Sequence, residues 1–360
     1  MRRSLMIMAG LLLPWCDYGA LTATEPPVQV YILAGQSNMQ GKAKVSLLEH
    51  QIRDPRTKTR FEHLHEDGKW IERDDVQIKF LDRHGKLTVG YGSPKCIGPE
   101  LDFGFVVGDA SESPVLIIKT AWGGKSLYRD FRPPSSSKPD ASVIDALLEK
   151  AQKKKPDTSR RDIEQTFGVY YRLMMEDVQS TLSDIDQYVP EYGDQGYEIA
   201  GFAWFQGWND MVNAEYTAAY SENMANLIRD VRKDLGEPKM PFVIAVLGVG
   251  GVEDQATGKV AFKAAQSSVG DLPEFDGNLA VIQTDQFWDK TAEEVFKKGW
   301  KKHLDEWQTV GSDYPFHYLG SPSTYGDIGR AMAGALLELN QQQERDSEDD
   351  SSPAAVDASN

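Results

Sequence analysis

VQVYILAGQSNM, residues 28–39, runs from an apolar segment, Val28 to Leu33, straight into a glycine and a cluster of polar side chains. A short β-branched and aromatic run of this kind suits a strand buried on both faces, which implies a parallel sheet covered by helices. Four more runs have the same character: Val115 to Thr120, Ile199 to Phe205, Phe242 to Leu247 and Leu279 to Gln283. Helical periods fill the gaps. Tyr170, Leu173, Met174 and Val178 line one stripe of Phe167 to Leu182, and Thr217 to Leu235 and Tyr325 to Leu339 carry similar stripes. Strands separated by helices predict a three-layer αβα sandwich with right-handed crossovers.

Such a sheet binds its ligand at the carboxyl ends of its strands, so the residues just after each run are the ones to inspect. They are Ala34 to Met39, Ala121 to Ser126 and Trp204 to Asp210, and the segment Asp313 to Ser321 lies before the last helix. Ser37 sits in a strand-to-helix turn that Gly35 permits, which presents a hydroxyl and a backbone N–H to the crevice. Gly123 and Gly124 let backbone N–H groups approach a substrate oxygen. Gln206 and Asn209 carry amides able to polarise a carbonyl. His317 can take the serine proton and return it to a leaving alcohol, with Asp313 the nearest upstream carboxylate to orient it. Together these residues predict an acyl-transfer hydrolase.

Taken singly, each signal has a plainer explanation. A serine after a strand is more often a helix cap, and a Gly-Gly pair is usually a turn. Trp204, Phe205 and Trp208 suit a core or a sugar-stacking surface, and His317 suits a structural hydrogen bond. Their joint order is what favours the hydrolase. His63 and His65, alternating with Glu62 and Glu66, read as solvated surface rather than metal ligands.

Gly35-Gln36-Ser37-Asn38-Met39, Trp122-Gly123-Gly124, Trp204-x-Gln206-Gly207, the Gly98 to Gly104 stretch and the late His317 resemble the sialate O-acetylesterase-like branch of the SGNH (GDSL-type) hydrolases. That branch also contains esterases acting on acetylated xylan. The resemblance covers about Val28 to Leu339. It implies a flavodoxin-like αβα sandwich with a five-stranded parallel sheet, and no metal or organic cofactor. It places Ser37 as nucleophile, His317 as base, and Gly123 or Gly124 as an oxyanion donor beside the Ser37 N–H and the amide of Gln206 or Asn209. Asp313 is the triad acid, with Asp285 as the alternative; a Ser-His dyad is the third possibility. Gln36, Asn38, Trp122, Arg129, Trp208, Asp210 and Tyr318 are read as substrate contacts, Asp210 in an orienting role and Arg132 beside them.

The ends and the composition set the context. Arg2 and Arg3 precede an apolar run from Leu5 to Trp15 with small residues at Ala20 and Ala23, so residues 1–23 read as a signal peptide of a secreted or periplasmic protein. Residues 24–340 then form the folded domain, and the polar, acidic 341–360 a disordered tail. The 360 residues hold 39 Lys plus Arg against 55 Asp plus Glu, a net charge of −16, which argues against a nucleic-acid partner. Two cysteines rule out a disulfide framework. The expected partner is an acetylated carbohydrate, with no stable membrane association after cleavage and the oligomeric state left open. A catalytically silent carbohydrate-binding protein on the same fold is the alternative function, stacking sugars on Trp122, Trp208 and Tyr318.

Overall fold

The computed structural model describes residues 26–351 except 191 and 194, so the leader read at 1–23 lies outside the described residues. The five apolar runs are strands: β1 (Val28–Gly35), β4 (Val115–Ala121), β5 (Tyr197–Phe205), β6 (Phe242–Val246) and β7 (Leu279–Gln283). The sheet has seven strands rather than five, because β2 (Arg73–Phe80) and β3 (Arg83–Leu87) extend it. The order is β7-β6-β5-β1-β4-β2-β3, parallel throughout except for β3, which pairs antiparallel with β2 at the edge.

The two additional strands escape a search for apolar runs because they are charged. In β2 the apolar side chains Val76, Ile78 and Phe80 alternate with Gln77 and Lys79, and all five are buried. Lys79 is tolerated there because its ammonium pairs with Asp177. β3 carries Arg83, His84 and Lys86 along the sheet's rim, a composition that discourages pairing with another chain.

Helices cover both faces. α2 (Glu100–Asp109) and α6 (Pro322–Ser351) pack together on one side; α3 (Val169–Ser183), α4 (Tyr220–Leu235) and α5 (Thr257–Ser267) lie on the other. The core strands β1 and β4 are buried over nearly their whole length. The expected tail begins inside α6, which runs on as helix to Ser351 and is anchored where Gln343 Nε2 donates to Lys239 O at 2.9 Å. Residues 341–351 are therefore helical, a correction to the disordered reading, and 352–360 lie outside the described residues.

Parallel register determines what meets at the carboxyl edge. Gly35 stands opposite Ala121 on one side and Phe205 on the other, so the segments that follow all three strands leave the sheet at one level. Gly35 is required for this. Its φ is +154°, and a β-carbon would lie 2.2 Å from Phe205 O. Gly35→Ala is expected to cost about 2–3 kcal/mol by forcing these strand ends apart, readable as a lowered urea midpoint with an unchanged slope.

Candidate active site

After Gly35 the chain turns into a single helical turn, α1 (Ser37–Gln40). Gln36, not Ser37, occupies the cap position, and no side chain caps the turn. Ser37 is 8% exposed, and among the described residues its hydroxyl has no hydrogen-bond partner. The capping explanation is thereby removed: the hydroxyl is held at the strand end with nothing structural to do. Gly123 lies directly against it, since a β-carbon there would stand 3.7 Å from Ser37 Cβ and 3.0 Å from Gln40 Oε1. Gly124 follows with φ +70°.

His317 arrives on the loop Pro315–Gly320, just before α6. Two ties bring this loop alongside α1. Asn38 Nδ2 donates to Phe316 O at 3.2 Å, and the Tyr325 hydroxyl lies 3.0 Å from Asn38 Oδ1 and 3.3 Å from His317 O. Residues 37 and 317 are thus next to a hydrogen-bonded pair of neighbours. Immediately after His317 the backbone enters the left-handed region at Tyr318 (φ +50°) and Leu319 (φ +59°), which is costly for side chains of that size. The conformation is over-determined: Ser312 N and Asp313 N both donate to Leu319 O, and Leu319 N donates to Tyr314 O.

Asp313 Oδ2 lies 3.2 Å from His317 Nδ1. The two are within pairing distance but out of line for a hydrogen bond, so Nδ1 remains buried and unsatisfied. Burial pushes the Asp313 carboxyl up, yet the imidazole, the Tyr314 N–H and the Lys42 charge together hold it below the usual range. It is therefore a carboxylate at neutral pH. Asp285, the alternative acid, is instead paired with Lys263 at 2.9 Å.

Several residues read as substrate contacts belong to the scaffold. Gln36 and Asn38 are each 1% exposed; Asn38 is bonded at both ends of its amide, and Gln36 Oε1 accepts from Gln206 Nε2 at 3.3 Å. Tyr318 is fully buried, its hydroxyl accepting from Gly248 N at 2.7 Å and lying 2.6 Å from Thr284 Oγ1. The Arg129 guanidinium donates to Thr166 Oγ1, and Arg132 donates to Tyr128 O and Ser137 O. Trp122 is half-buried against Phe131 and Tyr170. Trp208 remains half-buried at the surface, 5.5 Å from the Phe316 ring.

Asp210 is also a correction. It is completely buried and accepts from Leu127 N (2.8 Å), Tyr128 N (2.9 Å) and Gln206 Nε2 (2.6 Å), so it braces the loop after β4 against the turn after β5. Gln206 and Asn209 differ in the same way. Gln206 Nε2 has Asp210, Lys125 O at 2.9 Å and Gln36 Oε1 around its two hydrogens, whereas the half-buried Asn209 side chain has no hydrogen-bond partner among the described residues. Burial pushes the Asp210 carboxyl up to about 7 against the lowering effect of its three donors. An unfolded aspartate loses its proton near pH 4, so between roughly pH 4 and 7 the folded chain binds more protons and stability falls as pH rises. Stability measured relative to Asp210→Asn is expected to decline across that window and level off above it.

Sequence reading missed a buried pair beneath the site. Lys119, fully buried in β4, donates to Glu100 Oε2 at 2.6 Å and to the carbonyls of Gln40 and Tyr91, each at 2.9 Å. Glu100 Oε1 accepts from Gly98 N at 2.9 Å. The ammonium thereby clamps the last residue of α1, the turn that carries Ser37. The only sequence signal was a lysine inside an otherwise apolar strand.

An αβα sandwich with an unbonded serine at the end of its central strand, and a histidine and an aspartate on the loop before its last helix, defines a hydrolase of the SGNH-like fold. Residues 27–295 match the family model for carbohydrate esterase, sialic acid-specific acetylesterase, and the chain belongs to that family. The match stops short of Asp313 and His317. A probable carbohydrate esterase of Arabidopsis thaliana is 23% identical over 244 residues, 67% of this chain and 77% of that protein. The X-ray structure of an Arabidopsis thaliana protein superposes with a TM-score of 0.51 at 17% identity, covering 87% of this chain and 99% of that one. A carbohydrate acetylesterase from Xanthomonas citri gives 0.47 at 14% identity, covering 87% and 57%.

Proposed function

We propose that this protein is a secreted serine esterase that removes O-acetyl groups from carbohydrates, with acetylated sialic acid, xylan or another acetylated polysaccharide as substrate. Family membership supports the esterase class. The observation that carries the mechanism is the pairing of an unbonded Ser37 hydroxyl with a histidine-aspartate loop tied to its neighbour through Asn38 and Phe316.

In this mechanism His317 Nδ1 faces Asp313, leaving Nε2 to take the Ser37 proton. Ser37 Oγ bonds to the acetyl carbon, and negative charge gathers on the carbonyl oxygen. Backbone N–H groups of Ser37 and Gly124 stabilise it, joined by the side-chain amide of Asn209, since both N–H groups of Gln206 are already taken by Asp210, Lys125 O and Gln36 Oε1; each such donor is worth roughly a hundredfold or more in turnover. Collapse breaks the bond from the acetyl carbon to the sugar oxygen, which takes the proton from His317. Water, deprotonated by the same imidazole, then releases acetate and restores the serine.

Asp313→Asn is expected to lower kcat by about a hundredfold or more, because the imidazolium loses its counter-charge. Full activity would assign the chemistry to a Ser-His dyad. The reading as a whole is tested by acetate release from a panel of acetylated glycans and by fluorophosphonate labelling of Ser37. Sugar binding without either would make the protein a silent binder.

A further inference from the structure

A nucleophile and its base must be held to within about 0.5 Å of the productive geometry, yet neither Ser37 nor His317 stands on a long element. Ser37 opens a single helical turn, and His317 (φ −113°, ψ 36°) lies in the loop Pro315–Gly320. The two peptide carbonyls that flank the His317 α-carbon are both held. Phe316 O accepts from Asn38 Nδ2 at 3.2 Å, and His317 O accepts from the Tyr325 hydroxyl at 3.3 Å. The same hydroxyl donates to Asn38 Oδ1 at 3.0 Å. One phenol proton is therefore shared between the carbonyl of the base and the residue that follows the nucleophile. Tyr325 is fully buried in the first turn of α6, and burial pushes its phenol well above the ordinary value, so it is a donor throughout the neutral range.

We infer that Tyr325 is a positioning residue for the acyl-transfer reaction: its hydroxyl, acting through Asn38, sets the placement of the His317 imidazole against Ser37. This rests on the esterase reading above. A phenylalanine would fill the same space, and burying a hydroxyl costs free energy unless its partners offset the loss of water, so the oxygen is there for its two acceptors. The loop also needs an outside hold. Tyr318 and Leu319, immediately after the base, have φ of +50° and +59°, a conformation that persists only where its surroundings impose it. The other side-chain ties of this segment lead elsewhere: the Tyr318 hydroxyl to Gly248 N after β6, and Ser312 Oγ to Gly320 O within the loop. Among the described residues, the hydrogen bonds that join α1 to the loop run through Asn38 and Tyr325.

The test is a double-mutant cycle on 4-nitrophenyl acetate hydrolysis, with kcat expressed per folded molecule from near-ultraviolet circular dichroism. Tyr325→Phe removes one oxygen and keeps the ring. It is expected to lower kcat roughly tenfold in the wild-type background and less than about twofold in the His317→Ala background, because its effect passes through the imidazole. No loss in the first background, or an equal loss in both, would overturn the role; a packing defect gives the equal loss. Asn38→Asp keeps an acceptor for Tyr325 but sets a carboxylate oxygen against Phe316 O, and the same pattern is expected of it. Amide hydrogen exchange gives a readout that needs no chemistry at Ser37. The His317 and Leu319 amides, both bonded to Tyr314 O, are expected to exchange at least about tenfold faster in Tyr325→Phe. Unchanged protection would overturn the hold on the loop whether or not the protein is an esterase, whereas an active Ser37→Ala enzyme would defeat the esterase reading and leave the exchange result standing.

Discussion

Ser37→Ala is expected to reduce kcat on a small aryl acetate by about 10⁴-fold or more, with the fold unchanged. The activity loss follows from removing the atom that bonds to the acyl carbon. The unchanged fold follows because the Ser37 hydroxyl has no hydrogen-bond partner among the described residues and the turn has no side-chain cap to lose. His317→Ala should do comparable damage, and the double variant little more than either, since nucleophile and base act as one unit. Hydrolysis and denaturation midpoints measured on the three proteins check this. An active Ser37→Ala enzyme would remove the mechanism.

Glu100→Gln is expected to destabilise the protein by about 3–5 kcal/mol, the usual result of leaving one partner of a buried ion pair uncompensated. Lys119 and Glu100 are both fully buried, and burial pulls the ammonium down to about 8 even with Glu100 opposing it. Without the carboxylate the lysine must shed its proton or draw in water, and its hold on the Gln40 carbonyl loosens. Replacing both members with apolar side chains is not expected to restore full stability. Gln40 O, Tyr91 O and Gly98 N would all lose their partners. Guanidinium unfolding of Glu100→Gln and of the Glu100→Leu, Lys119→Met double variant reads this directly; a single variant as stable as wild type would show that the pair is not holding this layer together.

Much of the architecture was legible because burial on both faces leaves a local trace. The five strands from Val28, Val115, Ile199, Phe242 and Leu279 are continuous apolar runs, and each chemistry-bearing cluster follows one of them or precedes the last helix. β2 was not legible, because Lys79 is buried only by virtue of Asp177, about a hundred residues away along the chain. The end of α6 was missed for a related reason: its polar composition shows no apolar stripe, and its anchor at Lys239 is distant.

Residue types at strand ends, an apolar period and an acidic composition are properties of the chain itself, and they determined the αβα class and the short list containing Ser37, Gly124, His317 and Asp313. Which polar residues near the strand ends keep their polar atoms unspent was decided only by tertiary structure. Asn38, Tyr318, Asp210 and Arg132 look no different in sequence from Asn209 and Trp208, yet the first four spend their polar atoms on backbone and side chains brought close by folding. The same holds for Asp313 and Asp285, separated by whether the nearest cation-forming group in space is His317 or Lys263. Hydrogen bonding is satisfied between neighbours in space, so a one-dimensional pattern carries the candidates but not their partners.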